Sequence, residues 1–189
     1  MLPRFRAGAF WLFVLVFVVT ILLGDQPFAE NLFPLDPKRV IAGETLWSPL
    51  SANFLDPGPF FLGVFLTLLI QWFLGAPLEG FWGTKKYLLL VLPAAVFGYA
   101  LTAILAFATP VYAELGPLSG PMALNVATVT AFTVVFAKTP YRPLEVGAPL
   151  KGWMVGAAVL VLLVSLPLFN RVHPAALTLH GGALGAPDQ

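Results

Sequence analysis

The sequence predicts an all-α fold, a polytopic membrane helix bundle of about six transmembrane helices in a single domain over residues 1–189. Three observations lead there. Of the residues 59% are hydrophobic and 10% charged, against about 45–50% and about 25% in soluble domains. The mean hydropathy is +0.88, which implies more apolar surface than a chain this short can keep from water by folding alone. The apolar residues also fall in long runs, and a spanning helix needs roughly 20 of them in succession.

The first run, about Ala9–Leu23, follows Arg4 and Arg6 and has the outline of a signal peptide. No small-residue cleavage site follows convincingly, so it is expected to stay as the first helix. The second run is about Phe60–Ala76, the third Tyr87–Phe107, the fourth Pro117–Ala137 and the fifth Gly152–Phe169. Pro59, Pro117 and Pro174 suit helix starts, where a missing N–H costs little. Pro93 is expected in the first turns of the third helix, bending it at most. The last stretch, Pro174–Ala186, is too short to span and carries Gly181, Gly182 and Gly185. It is expected as a short sixth helix sunk among the others, because small residues allow close approach in lipid.

Residues 24–59 mix Phe28, Leu32, Trp47, Leu50 and Phe54 with prolines and acids, which fits an outer loop with short interfacial helices. Basic residues orient the chain. Arg4, Arg6, Lys85, Lys86, Lys138, Arg142 and Lys151 share one side, while the opposite side carries only Lys38, Arg39 and Arg171 together with Asp25, Glu30, Asp36, Glu44, Asp56 and Glu114. The N-terminus is therefore expected in the cytoplasm.

A net charge of +1 gives no reason to expect nucleic acid. Without cysteine and with two histidines, no metal site is expected, nor any cofactor. A transporter is disfavoured because the spans hold no acidic residue and no broken-helix pair. Thr67, Thr102, Thr128, Thr130 and Thr133 are expected to bond their own helices, and Gln71 and Asn125 to join helices. Two residues stand apart. Ser119 lies in Gly116-Pro117-Leu118-Ser119-Gly120, placed in the first turn of the fourth helix, where a serine is ordinarily a cap. His180 precedes Gly181-Gly182 in the last stretch and is ordinarily a packing residue. Both fall in the outer half of the membrane, and a serine needs a base in reach to become nucleophilic.

The stretch Trp72-Phe73-Leu74-Gly75-Ala76-Pro77-Leu78-Glu79-Gly80-Phe81-Trp82-Gly83-Thr84-Lys85-Lys86-Tyr87 resembles the helix-two to helix-three junction of the rhomboid superfamily. Leu46-Trp47-Ser48-Pro49-Leu50 and Ser51-Ala52-Asn53-Phe54-Leu55 resemble the segment before helix two. Ser119-Gly120 resembles the end of the family's Gly-x-Ser-Gly motif, and His180 its helix-six histidine. The resemblance implies a six-helix intramembrane serine protease with Ser119 as nucleophile and His180 as base. It makes Leu118 and Gly120 the oxyanion region and Gly75, Glu79 and Gly83 a structural motif. Partners would be the lipid bilayer and transmembrane segments of other proteins, in a prokaryotic plasma membrane. The family's His-x-x-x-Asn falls on Gly63 and Thr67, and Pro117 replaces the glycine two before the serine. Two functions stay open: cleavage by a Ser-His dyad, or a pseudoprotease that binds membrane clients.

Overall fold

The first apolar run forms α1, Ala7–Leu23, whose buried residues Gly8, Leu12, Val16 and Thr20 recur every fourth position. The structure is a computed structural model and describes residues 4–56, 62–109, 117–141 and 150–172. The segment after α1 contains three short helices: α2 (Pro27–Leu32), α3 (Pro37–Ile41) and α4 (Ser48–Ser51). Each has proline in its first turn, and Asp36 caps α3 by accepting the Lys38 N–H at 2.9 Å. Leu32, Ile41, Leu46, Trp47 and Leu50 remain exposed here.

The second run is longer than expected. Helix α5 (Leu62–Ile70) passes into a π segment (Gln71–Gly75) and on into α6 (Ala76–Trp82), one continuous rod through Pro77. In an α-helix residue 77 would donate an N–H to the carbonyl of Phe73, and proline has none. A wider turn immediately before it relieves that demand, so the helix continues. Helix α7, Thr84–Ala108, runs unbroken across Pro93, which lies deeper in the helix than its first turns.

The fourth run is shorter than expected. Helix α8 covers Met122–Val135 rather than Pro117–Ala137. Leu118 is instead held extended against Leu35, and Gly120 has φ +121°, incompatible with a helix. A small hairpin, β1 (Pro140–Tyr141) with β2 (Leu150–Lys151), leads into α9, Gly152–Val172. The expected sixth helix, Pro174–Ala186, lies outside the described residues, and His180 with it.

Two of the rods, Leu62–Trp82 and α7, are long and apolar enough to cross a membrane; α1, α8 and Gly152–Leu163 are apolar but shorter. Helix α8 is central and packs on α7, α9 and the π segment. Small residues permit this. A Cβ at Gly156 would lie 1.7 Å from Thr133 Oγ1, and one at Gly98 3.3 Å from the Ala123 Cβ. The core joins Ala9, Leu12 and Val16 to Ile70, Leu74, Leu78, Tyr87, Val91, Leu124, Val129 and Phe132. Outward, α7 exposes Leu89, Phe97, Leu101, Ile104 and Phe107. A single-sided face of this kind matches lipid better than water.

Candidate functional site

Polar residues occur at three levels of the bundle. At the first, Glu79 is 2% exposed and reaches the start of α1. Its two oxygens accept the N–H groups of Gly8 (3.0 Å) and Ala9 (2.9 Å), and the Thr84 hydroxyl donates to it as well. The first turn of any helix has N–H groups without intrahelical partners, and a carboxylate there also meets the positive end of the helix dipole. Arg6, the N-cap residue of α1, contributes no side-chain cap. Glu79 supplies that function from another helix. Glycine at position 8 eases the approach, since a Cβ would meet Thr84 Cγ2 at 3.0 Å and the Glu79 carboxyl at 3.2 Å and push them back.

Gly75 and Gly83 have different roles beside it. A Cβ on Gly75 would stand 2.7 Å from both Gln71 Oε1 and the Tyr87 hydroxyl, so its absence lets α7 close on the π segment. Gly83 joins α6 to α7 at φ +80°, ψ 157°, a region open essentially to glycine. The Phe81 and Phe136 rings are 6.0 Å apart and tie the end of α8 to the same level. Arg6, Lys85, Lys86, Lys138 and Lys151 thus belong to one end of the bundle.

At the middle level, Gln71 donates to Thr128 Oγ1 of α8 at 3.2 Å and accepts from the Tyr87 hydroxyl of α7. Asn125 Nδ2 donates to Thr67 Oγ1 at 3.0 Å, and Thr67 donates onward to the Gly63 carbonyl at 2.7 Å. Gln71 and Asn125 therefore join helices. Thr67, Thr102, Thr128 and Thr133 each bond a carbonyl four residues back. The buried Asn125 Oδ1 has no partner among the described residues.

Ser119 lies at the third level, half-buried and outside any helix. This corrects its expected place in the first turn of the fourth helix, and the cause is the Leu118–Leu35 pairing. Leu118 N–H donates to the Leu35 carbonyl at 2.9 Å and Gly120 N–H to the Ala52 carbonyl at 2.9 Å. Both amides expected to face an oxyanion are thus occupied by backbone acceptors. The Tyr99 hydroxyl donates to the Gly120 carbonyl at 2.8 Å and fixes the corner from α7.

Asp56 was grouped only among the outer-side acids, yet it is 9% exposed and sits against this corner. Its Oδ2 accepts the Val64 N–H at 2.9 Å in the first turn of α5, and its own N–H donates to Thr20 Oγ1 of α1 at 3.1 Å. Its Oδ1 lies 3.9 Å from where a Gly120 Cβ would be. A Cβ at Gly63 would be 2.5 Å from Oδ2. The space that a side chain at position 63 would need is consequently filled by the Asp56 carboxylate. The sequence does carry a signal for it, an acid followed by Pro57-Gly58 shortly before an apolar helix, which is a helix-start pattern.

The Ser119 hydroxyl and amide have no hydrogen-bond partner among the described residues. No group of acids and histidines among the described residues is arranged to hold a metal. Elsewhere an apolar groove of about 240 Å³ separates α5 and the π segment from α9, walled by Leu66, Ile70, Phe73, Val155, Val159 and Leu162. Compared with known proteins, the chain matches no family model, no curated protein and no solved structure, so its own residues carry the functional assignment.

Proposed function

We propose that the chain is an integral membrane protein of the rhomboid type, N-terminus cytoplasmic, that holds transmembrane segments of other proteins without cleaving them. The observation that carries this is the Ser119 corner. Acyl transfer needs donors aimed at the developing oxyanion, and one such donor is worth about 2.7–4 kcal/mol. Here the Leu118 and Gly120 amides are bound to Leu35 and Ala52. The nearby Asp56 carboxylate adds like-charge repulsion, which grows as the dielectric falls. The groove beside α9 supplies an apolar surface that a client helix can cover. The likeness of Trp72–Tyr87 to the rhomboid junction supports the family side of the proposal.

Cleavage is the second reading, favoured by the unpartnered Ser119 hydroxyl. One experiment separates the two. The full chain, carrying a photocrosslinking residue at position 159 or 97, is reconstituted with a fluorescent Leu/Ala-rich transmembrane peptide. Adducts from Val159 but not from the lipid-facing Phe97, with the peptide intact, are the expected result. Peptide cleavage that disappears in Ser119→Ala would establish the protease instead. Equal adducts from both positions would remove the groove as a client site.

A further inference from the structure

A second groove, of about 450 Å³, lies between α7 and α8 and shares no lining residue with the α9 groove. Leu90, Ala94 and Gly98 form its α7 wall, Ala127 and Val134 part of its α8 wall, and Trp82 closes one end. The α7 residues are spaced by four and so lie on one stripe of the helix. Lys86 continues that stripe by one step toward the Trp82 end. Lys138 lies in the turn after α8, two residues past Phe136, whose ring is 6.0 Å from that of Phe81 next to Trp82. Both lysines are exposed, and neither makes an ion pair among the described residues.

We infer that this groove is a binding site for one anionic glycerophospholipid, its acyl chain along the α7–α8 seam and its phosphate between Lys86 and Lys138. Apart from Thr130, its walls are apolar side chains and Gly98, which suits an acyl chain. Charge decides between occupants. A client helix or a second copy of this chain would bring its own cytoplasmic lysines and arginines to that mouth, since membrane segments carry them on that flank. Like charges would then meet. An anionic headgroup brings the opposite sign, and each basic side chain at a membrane surface favours it about fivefold. The site rests on the membrane placement proposed above and not on client binding.

Trp82 provides the readout. The full chain is reconstituted in phosphatidylcholine vesicles containing a minor fraction of acyl-brominated phosphatidylglycerol or, separately, acyl-brominated phosphatidylcholine. Subtracting the signal of Trp82→Phe isolates the quenching of Trp82. Brominated phosphatidylglycerol is expected to quench several-fold more strongly at equal fraction. The Lys86→Gln/Lys138→Gln double variant should lose that preference while keeping basal quenching, and Ala127→Leu should reduce quenching by both lipids. Equal quenching by the two lipids in the wild-type chain means ordinary surrounding lipid and overturns the site. Absence of quenching by either means a protein covers Trp82, which overturns it too. Flotation with the vesicles is measured first: a chain that stays behind refutes the membrane placement and this site together, whereas a floated chain with equal quenching refutes the site alone.

Discussion

Replacing Glu79 with alanine removes the only side-chain acceptor at the start of α1 among the described residues. The Gly8 and Ala9 N–H groups, bonded at 3.0 and 2.9 Å, then face a buried space. An orphaned buried donor costs about 1–3 kcal/mol, so the two amides together set about 2–6 kcal/mol. Part of this is recovered. The Thr84 hydroxyl can rotate to another acceptor, and the Gly83–Lys86 turn is exposed, so water can reach the vacated position. A net loss of about 3 kcal/mol is expected for Glu79→Ala, and about 2 kcal/mol for Glu79→Gln, which keeps one acceptor oxygen but turns an NH2 toward a donor. The assay is reversible unfolding in dodecylmaltoside micelles titrated with dodecyl sulfate, followed by helicity. Glu44→Ala is the control, because its contact with Arg39 at 3.2 Å is an exposed ion pair, which is worth at most about 1 kcal/mol. If Glu79→Ala unfolded within about 0.5 kcal/mol of the wild type, as a surface change does, the carboxylate would not be holding α1 and the reasoning would fail.

Two further substitutions test the corners. Gly83→Ala forces a side chain onto φ +80°, ψ 157°, and the same unfolding assay should register a loss of about 1–3 kcal/mol. Tyr99→Phe deletes the 2.8 Å bond to the Gly120 carbonyl and should cost about 1 kcal/mol. Amide exchange at Gly120, whose N–H bonds Ala52, should accelerate in that variant while exchange in the middle of α7 stays unchanged. Uniform acceleration along the chain would show that Tyr99 supports the fold generally and not the Ser119 corner.

Apolar length is a one-dimensional property, and it located the helices well. Composition and run length identified an all-α chain, and Ala9–Leu23, Tyr87–Phe107 and Gly152–Phe169 fall inside α1, α7 and α9. Helix ends were harder to read. The second run, expected to end at Ala76, continues through the π segment and Pro77 to Trp82, and Pro117 marked a start that Leu118 lost to its pairing with Leu35. Each case turned on hydrogen bonds to residues that local patterns do not include.

The sequence by itself determined that this chain is built of apolar helices and that its basic residues gather between particular apolar runs. Hydrophobic runs and charge bias act through solvent, so no knowledge of neighbours is needed to read them. Only the tertiary structure decided what each polar group touches. It placed Glu79 on amides some 70 positions away, set Asp56 in the space left by Gly63, and bound the Leu118 and Gly120 amides to Leu35 and Ala52. A buried hydrogen bond depends on which surfaces meet, and that is settled by packing glycine and alanine faces together in three dimensions.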